Sequence, residues 1–496
     1  MFIKLVEEFD GRAKLATTEM GLEKMANAEI GLIGLGVMGG NLALNIAEKG
    51  FPIAVFNRTV ETTHEYYAKA GALAKMITPC DTMEDLIAAI RPPRPIIIMV
   101  KAGDPVDQQI AILRKLMGQG DIIIDAGNAN FRDTMRRFAE LEGSGLTFIG
   151  TGVSGGEEGA RHGPSIMVGG TPESYARVEK VLTAISAKYK KEPCCAWLGP
   201  NGAGHFTKTI HNGIEYADMQ MISEIYGLMR DGLGLKPAEM AHIFHTWNKG
   251  RLNSYLIEIT AKVLSTIDKQ AKKPLVDVIL DKAGQKGTGK WSVIEAQTMG
   301  IPATTIEAAV AARILSSMKD EREKAQKAYK IAAKKIKPKS RAAFLKGLEG
   351  ALYAGKIAAY AQGFAVLEEA SRQNEWNLPL GTIASIWREG CIIRSQFLGL
   401  ITQAFNKSGG KGNLLLAPAF MTMMKDSHGA LRSVVAEAAK AGAPVPALSS
   451  ALSYFDSYRQ ARGTANLIQG QRDFFGAHGF ERIGEKGDFH GPWAKG

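Results

Sequence analysis

Apolar positions recur along this chain in two patterns, and the pattern changes near residue 202. Before that point, short apolar runs alternate with amphipathic helical stretches, the runs lying at 30–33, 53–56, 96–100, 122–125 and 147–149. Such alternation is typical of parallel strands joined by helices. Beyond it, helical spacing continues to about residue 460 with few strand candidates. The pattern predicts an α/β Rossmann-type N-terminal domain followed by a large all-α domain and a C-terminal tail.

These patterns divide the chain into an N-terminal extension at 1–28, a Rossmann-type domain at 29–202, an all-helical domain at 203–460 and a tail at 461–496. The tail loses periodicity but carries anchors that a free tail would not need: Arg472, Phe474, Phe475, His478 and Phe480. Reaching over a partner subunit is a natural use of such anchors. Met25 lies just before the first strand, so we expect it to be an alternative start and the residues before it to be dispensable.

A glycine-rich turn, Gly34-x-Gly36-x-x-Gly39, separates the first strand from a helical pattern and a second strand. This order predicts the first βαβ unit of a dinucleotide-binding fold, in which glycines let a pyrophosphate reach the helix N-terminus. The expected lining residues are Gly34, Leu35, Gly36, Val37, Met38 and Gly39. Two later loops lie beyond strands, where ligands of open α/β sheets bind, and they offer Val100, Lys101, Ala102 and Asn128.

The end of the second strand indicates which dinucleotide binds. An NAD site usually places a carboxylate there for the ribose hydroxyls. This chain instead has Asn57, Arg58 and Thr59. Because a guanidinium can pair with the 2′-phosphate of NADP, we expect NADP as the cofactor.

A third loop, 152–159, follows the strand expected at 147–149 and contains Ser154, Gly155 and Gly156. Its small residues leave backbone N–H groups free to hold an anion such as a carboxylate. The loop also matches the GxSxG nucleophile elbow of hydrolases, which needs a helix directly after the serine. Residues 157–164 are a poor helix starter and no Asp-then-His pairing stands out downstream, so we disfavour a hydrolase.

The candidate chemistry lies in one helical stretch, 205–216. Five side chains share one face of this helix: Lys208, His211, Asn212, Glu215 and Tyr216. An amphipathic helix with a solvated front is the simpler interpretation, but this front combines a base, an acid, an amide, an imidazole and a phenol. A lysine and a glutamate two turns apart suit removal of a proton from one substrate atom and delivery to another.

Two further features of the helical half indicate an anion site. The Gly/Lys loop at 281–290 places Lys286 and Thr288 where they can donate to a phosphate, although a flexible surface loop is the alternative. Arg313 is a lone cation in an apolar helical pattern. Because burying an unpaired charge is costly, we expect a ligand phosphate or a carboxylate to meet it.

Composition narrows the class of protein. A chain of 496 residues, 45% hydrophobic and 22% charged, is typical of a globular protein with two or three domains. No apolar run is long enough for a membrane span, and the first residues do not read as a targeting signal. Four cysteines cannot form a disulfide framework, and no metal-ligand pattern accompanies them. We expect a cytoplasmic protein without a metal or a membrane partner.

The net charge of +11 fits either a nucleic acid or an anionic small molecule as ligand. Much of the excess lies at 319–341, a stretch that we interpret as a solvated helix and loop. The other cations gather at the proposed phosphate site, so we expect no nucleic-acid partner. Salt-sensitive binding to arbitrary DNA without turnover would favour that alternative.

Eight segments together resemble the decarboxylating 6-phosphogluconate dehydrogenase family, from about Glu29 to the C-terminus: IGLGVMGGNLALN, FNRT, VKAG, GVSGGEEGARHGPS, GAGHFTKTIHNGIEY, GQKGTGKW, CIIRS and ANLIQGQRDFFGAH. The resemblance implies oxidation of 6-phosphogluconate at C3 by NADP, then loss of CO2 to give ribulose 5-phosphate. It implies that Lys208 is the general base on the C3 hydroxyl. It also implies that Glu215 protonates C1 after decarboxylation.

The resemblance further implies the substrate site and the assembly. Asn128, Ser154, Gly155, Gly156, His211 and Asn212 would surround the sugar acid, and Tyr216, Lys286, Thr288 and Arg313 would hold its phosphate. Arg472 and His478 would come from the tail of a second subunit, which implies an obligate homodimer with composite sites. The helical domain would then be the substrate and dimerisation domain, and the family binds no metal.

The chain departs from the family at the loop after the fourth predicted strand. The family usually reads DGGNS where this chain has Asp125-Ala-Gly-Asn-Ala129, so Ala129 lacks a hydroxyl near the nicotinamide. Asn128 is kept, and we expect changed affinity rather than lost activity. The extension at 1–28 has no family counterpart. The nearest rival function, an NAD-dependent β-hydroxyacid dehydrogenase without decarboxylation, would lack the phosphate set Lys286, Thr288, Arg313 and Arg472.

Overall fold

The computed structural model describes residues 27–494, and its first half is built on one eight-stranded sheet. The strand order is β10-β7-β6-β5-β4-β1-β2-β3, and all neighbours are parallel except β6 and β7. The strands are β1 Ile30–Ile33, β2 Ile53–Phe56, β3 Ile77–Cys80, β4 Pro95–Ile98, β5 Ile122–Asp125, β6 Thr147–Ser154, β7 Ser165–Gly169 and β10 Cys195–Gly199. A separate hairpin pairs β8 Lys188–Tyr189 with β9 Glu192–Pro193.

Helices cover both faces of this sheet. They are α1 Val37–Glu48, α2 Val60–Lys69, α3 Met83–Ala89, α4 Asp104–Leu116, α5 Phe131–Leu141, α6 Gly156–His162 and α7 Pro172–Ile185. The central strands β1, β4 and β5 are rich in Ile and buried on both sides, as expected for parallel strands between two helical layers. Their side chains contribute to two apolar clusters, one on each face of the sheet.

The second half is helical. Its helices are α8 Ala203–Gly227, α9 Pro237–Trp247, α10 Tyr255–Ser265, α11 Leu275–Val278, α12 Thr288–Thr298, α13 Thr304–Ser317, α14 Lys319–Tyr329, α15 Arg341–Gln373, α16 Leu380–Ile386, α17 Phe397–Lys407, α18 Pro418–Ala441, α19 Pro446–Tyr458 and α20 Ala465–Gly476. α8 is the central element: it packs against β6 and β7 of the sheet and against α12, α13 and α15. It therefore lies where the two halves of the molecule meet.

The predicted fold class is confirmed: an α/β Rossmann-type domain precedes a large all-helical domain. The strand expected at 96–100 is shifted, since β4 spans Pro95–Ile98. The tail is not free of regular structure, because α20 lies within it. The proposed start at Met25 and most of the 1–28 extension lie outside the described residues, although Ala28 already pairs with Ile90.

The predicted range of the strand at 147–149 is shorter than the strand in the structure. β6 continues to Ser154 because its second half pairs with antiparallel β7, with Ser154 opposite Ser165. A helix does follow this serine, so the expectation that 157–164 would not start one was wrong. Gly155 and Gly156 adopt φ of 122° and 62°, which turns the chain sharply from β6 into α6.

In the part of the chain that the structure describes, none of the helices is both long enough and apolar enough to cross a membrane.

Candidate active site

A glycine-rich turn joins β1 to α1 and leaves its backbone open at the helix N-terminus. Gly34 has φ of +99°, and a Cβ there would lie 2.5 Å from the carbonyl oxygen of Met99, so only glycine fits. A Cβ at Gly36 would meet nothing within 4 Å. α1 has no carboxylate in its first turn. This open turn at the positive end of a helix dipole fits a dinucleotide pyrophosphate, and it contains the predicted set Gly34, Leu35, Gly36, Val37, Met38 and Gly39.

The residues after β2 divide into two roles. The Oδ1 of Asn57 accepts the backbone N–H of Leu35 at 3.1 Å, so Asn57 holds the glycine turn in place. Its Nδ2 donates to the carbonyl oxygen of Thr59 at 3.2 Å. Arg58 is exposed, and among the described residues no carboxylate forms an ion pair with it. Its guanidinium is therefore available for an anion.

Arg137 contacts both the end of β5 and the loop after β4. This residue was not identified from the sequence. This buried side chain on α5 lies 3.3 Å from Asp125 Oδ2, donates to the carbonyl oxygen of Gly103 at 3.1 Å and forms two hydrogen bonds with Asp107. Its hydrogen bonds lower the pKa of Asp107 to about 2. The one signal in the sequence is that helical spacing places Arg137 one turn from the apolar Leu141, on the side of α5 that is buried.

The predicted residues of these two loops lie where a ligand can approach. Lys101 and Asn128 are exposed, and Val100 and Ala102 are half-buried. Ala129, the position that departs from the family, is buried in the loop two residues before α5.

Lys208 lies at the contact between α8 and β6. A Cβ at Gly152 would collide with the Cβ of Lys208, so a glycine in β6 is what lets the lysine lie against the sheet. Lys208 is 6% exposed, and no described residue forms a hydrogen bond or an ion pair with its Nζ. Burial lowers the pKa of Lys208, and the nearby Glu215 and Cys391 oppose that shift.

Glu215 lies two turns further along α8 and is only partly accessible, with 20% of its side chain exposed. Burial raises the pKa of Glu215, against the opposing effect of the cations Lys208 and Arg313. A buried amine with a lowered pKa and a carboxyl with a raised pKa on one helix form an acid–base pair of the kind found at catalytic sites. The structure thus brings the two predicted catalytic groups to the same face.

His211 and Ser154 link α8 to the end of β6. The Ser154 Oγ and His211 Nε2 atoms are 3.3 Å apart, and His211 Nδ1 is 3.1 Å from the Asn212 Oδ1. Burial, and then the charge of Lys208, hold the pKa of His211 well below its ordinary value. An imidazole that resists protonation is a poor base for a serine, so the helix after Ser154 does not revive the hydrolase interpretation.

The predicted phosphate residues gather at the other end of this face. Asn212 Nδ2 donates to Thr288 Oγ1 at 2.9 Å, which fixes the N-terminus of α12 against α8. Lys286 is exposed in the loop before α12. The guanidinium of Arg313 lies 3.6 Å from the ring centroid of Tyr216.

The structure does not bury Arg313 completely, and the phosphate or carboxylate expected to meet it stays a prediction. Its side chain is half-buried, its planar cation stacks on the Tyr216 ring, and one of its nitrogens lies 3.8 Å from Met219 Sδ. The stacking reduces the cost of leaving the charge without a carboxylate and leaves the edge of the guanidinium open.

The tail residues form contacts within the tail. Arg472 donates to the Oε1 of Gln469 at 3.1 Å, and the His478 ring packs on Phe475. Both Arg472 and His478 are exposed, and no described contact brings either of them to Lys208. Asp473 organises this region, because its buried carboxylate accepts hydrogen bonds from two backbone N–H groups, from Trp493 and from His490.

Among the described residues, no group of three or more His, Cys, Asp and Glu side chains could hold a metal ion. The four cysteines are unpaired and buried: Cys80, Cys194, Cys195 and Cys391.

Comparison with known proteins connects both halves of the chain to one family. The family described as "NAD binding domain of 6-phosphogluconate dehydrogenase" matches residues 29–199, and "6-phosphogluconate dehydrogenase, C-terminal domain" matches residues 204–493. Two proteins of Bacillus subtilis strain 168 are each 48% identical to the chain. The NAD(+)-dependent, decarboxylating form aligns over 94% of the chain and 99% of its own length, and the NADP(+)-dependent, decarboxylating form over 95% and 100%.

A solved structure shows the same architecture over nearly the whole chain. The 6-phosphogluconate dehydrogenase of Plasmodium falciparum, determined in its apo form, with its cofactor NADP+ and with its substrate 6-phosphogluconate, is 42% identical. It superposes with a TM-score of 0.91 over 94% of this chain and 100% of that one. All three relatives are named as 6-phosphogluconate dehydrogenases, and the two from Bacillus subtilis differ in the dinucleotide that their names give.

Proposed function

The chain belongs to the family of decarboxylating 6-phosphogluconate dehydrogenases, and from this premise we propose that it converts 6-phospho-D-gluconate and NADP to D-ribulose 5-phosphate, CO2 and NADPH in the cytoplasm. The observation that carries the proposal is Lys208, a buried lysine for which no described residue supplies a counter-ion. It shares one helix face with Glu215, at the end of the strand that bears Ser154.

Lys208 acts as the general base. Because burial lowers its pKa, a larger fraction is neutral amine near pH 7 and can accept the proton of the C3 hydroxyl. The glycine turn Gly34–Gly39 would hold NADP, which would supply the acceptor for the hydride of C3. The proton then stays on Nζ, and the resulting cation stabilises the negative charge that develops on the C3 oxygen as the carboxylate leaves as CO2.

Glu215 acts as the general acid. Burial raises its pKa, so it retains a proton to a higher pH than an exposed glutamate does. It delivers this proton to C1 of the enediolate that decarboxylation leaves, and the former C3 oxygen becomes the ketone oxygen of the product. Loss of the proton from Nζ of Lys208 and reprotonation of Glu215 then restore the pair. His211, whose pKa burial holds well below its ordinary value, would hydrogen-bond the sugar hydroxyls together with its neighbours Ser154 and Asn212. The backbone at Gly155 and Gly156, together with the side chain of Asn128, completes the proposed sugar-acid site.

The phosphate of the substrate would be held at the N-terminus of α12. Thr288 and Lys286 supply donors there, and the helix dipole favours an anion. Arg313, stacked on Tyr216, presents its free edge to the same anion. These groups distinguish the proposed substrate from an unphosphorylated acid.

One assay tests this function directly. Purified chain is supplied with 6-phosphogluconate and NADP, and NADPH and CO2 are measured together. We expect the two products in equal amounts, with much lower rates when gluconate replaces the phosphorylated acid. NADPH without CO2 would instead indicate the simple β-hydroxyacid dehydrogenase reaction.

The choice of NADP rests on Arg58. Its exposed guanidinium, without a described ion-pair partner, can bind the 2′-phosphate. Arg58→Asp should raise the KM for NADP about tenfold or more and narrow the preference over NAD, because a carboxylate repels the phosphate and suits the ribose hydroxyls. Arg114→Asp, a change of equally exposed charge at the end of α4, is the matched control. An unchanged preference in Arg58→Asp would place the selectivity elsewhere.

The proposed homodimer rests on the tail. Arg472 and His478 are exposed and lie on a segment that Asp473 holds in a defined shape, so they can complete the site of a second subunit. Mixing inactive Lys208→Met subunits with inactive Arg472→Ala subunits should restore activity, since roughly one quarter of the sites are complete after random exchange. Proven exchange without any recovery would argue against shared sites.

A further inference from the structure

Arg132 and Glu295 form a bidentate ion pair that joins the Rossmann-type domain to the helical domain. The Nε of Arg132 donates to Oε1 of Glu295 at 2.9 Å, and Nη2 donates to Oε2 at 2.6 Å. Glu295 is buried with 4% of its side chain exposed, whereas Arg132 is 57% exposed. Two parallel charge-assisted hydrogen bonds fix both the distance and the orientation of the groups that they join. The proposed reaction uses neither residue.

The two ends of this pair lie on the elements that carry opposite ends of the proposed substrate site. Arg132 is the second residue of α5, directly after the loop that bears Asn128, and its N–H donates to the Asn130 side chain of that loop. Glu295 lies two turns along α12 from Thr288, the residue that begins this helix and binds Asn212. A rigid helical segment therefore connects the ion pair to the phosphate end.

A substrate held at two points reacts efficiently only when the separation of those points matches the substrate. Misplacement by about 1 Å can cost as much as a hundredfold in rate. Asn128 belongs to the Rossmann-type domain, and Thr288 belongs to the helical domain. Arg132 and Glu295 are a direct polar link between the two elements that bear them.

We propose that the Arg132–Glu295 pair is a positioning contact that sets the span between the Asn128 loop and the phosphate-binding end of α12. This inference rests on the proposed function, because the span matters only for a substrate that reaches both ends. Its consequence is specific: breaking the pair weakens the hold on 6-phosphogluconate without damaging the phosphate site, whose residues all lie outside the Rossmann-type domain.

Steady-state kinetics of Arg132→Gln test the proposal. We expect the KM for 6-phosphogluconate to rise about tenfold, because the two holding points no longer keep their separation. The inhibition constant of inorganic phosphate, which occupies only the phosphate end, should stay within about twofold of its original value. Neither constant depends on the fraction of enzyme that is folded, so a loss of stability alone moves neither.

Further variants keep the test independent of folding. Arg132→Gln leaves Glu295 buried and unpaired, which costs stability. Arg132→Lys keeps the charge but lacks the planar fork, so its KM should lie between those of the original chain and Arg132→Gln. Arg132→Gln combined with Glu295→Gln removes both charges, so we expect recovered stability with a KM still raised. Arg136→Gln removes a neighbouring salt-bridged arginine of α5 that pairs within the Rossmann-type domain, and its KM should not change.

Two results would overturn the proposal. An unchanged KM in all Arg132 variants would make the pair a purely structural contact. A phosphate inhibition constant that rises in parallel with the KM would show that the pair shapes the phosphate site itself and not the span. Absence of turnover by the unaltered chain would refute the proposed function instead, so the two failures are distinguishable.

Discussion

Two lysines are buried in the helical domain, and they differ in what lies beside their ammonium groups. Lys208 on α8 is 6% exposed and Lys356 on α15 is 2% exposed. The Nζ of Lys356 donates to Asp218 Oδ2 in a buried ion pair. No described carboxylate lies within ion-pairing distance of Lys208. The helices that carry the two lysines pack directly against each other.

The difference shows how one domain uses the same residue type for two purposes. A buried charge is tolerated when it has a counter-ion, and the Lys356–Asp218 pair then cross-links α15 to α8. Without a counter-ion, burial disfavours the charged form and lowers the pKa of Lys208. A larger fraction of the amine is then neutral near pH 7 and able to accept a proton. The first arrangement links two packed helices, and the second is the one that we propose for a general base.

The largest expected effect is a loss of catalytic activity when Lys208, but not Lys356, is replaced. Lys208→Met should lower kcat about 10²–10⁴-fold, because the proposed general base is lost while the shape of the side chain is kept. Its melting temperature should stay the same or rise, since no ion pair is broken and an uncompensated buried amine is removed. The measurements are kcat and a thermal melt, with NADP binding as a check that the glycine turn is intact. Near-normal turnover would refute the base assignment.

The next largest effect is a loss of stability when Lys356, but not Lys208, is replaced. Lys356→Met leaves Asp218 buried without its partner, so the free energy of unfolding should fall by about 3–5 kcal/mol. Asp218 is already under-satisfied, because its Oδ1 has no hydrogen-bond partner among the described residues. Adding Asp218→Leu removes the stranded carboxylate and should recover most of the loss.

Urea unfolding of the single and double variants measures these differences. The KM for 6-phosphogluconate of the Lys356→Met enzyme that remains folded should stay near the original value. If the double variant were as unstable as the single one, packing of the lysine stem and not its charge would account for the effect.

The sequence contains part of this distinction. Helical spacing places Lys208 and Glu215 on one face, and the structure shows them so. The partner of Lys356 lies 138 residues away, and nothing in the local pattern around either lysine reveals which of them is paired. Pairing is a tertiary property, so a single sequence marks both residues only as lysines in apolar helices.

The fold shows the same limit. The glycine turn and the Ile-rich strands were predictable because each is specified by neighbouring residues. The length of β6 was not, because its extension to Ser154 depends on pairing with β7. The stacking of Arg313 on Tyr216 likewise joins two helices that only the folded chain brings together. The assignments of the cofactor, the substrate contacts and the subunit interface remain predictions.

The smallest effect comes from a third buried charge, Glu224 on α8, whose partners are neutral donors instead of a counter-ion. Its carboxylate accepts the backbone N–H groups of Ala447 and Leu448 at 2.8 and 2.9 Å, and Gln220 donates to it at 3.0 Å. Burial raises the pKa of Glu224 to about 7, and these hydrogen bonds oppose the shift. In the degree to which its charge is compensated, Glu224 is therefore intermediate between Lys356, which has a counter-ion, and Lys208, which has none among the described residues.

Because the pKa of Glu224 is higher in the folded state than its ordinary value of 4.5, the folded chain binds this proton more tightly than the unfolded chain. The resulting stabilisation is complete below pH 4.5 and is lost as the pH rises through 7. Glu224→Gln is neutral at every pH, so the difference in unfolding free energy should move in favour of the variant by about 1–3 kcal/mol between pH 5 and pH 8. Urea unfolding at both pH values measures it, with Glu258→Gln on the surface of α10 as the control. The same pH dependence of stability in the original chain and the Glu224 variant would mean that neutral donors stabilise a buried charge as well as a counter-ion does. Burial without a counter-ion would then be too weak a reason for assigning Lys208 its role.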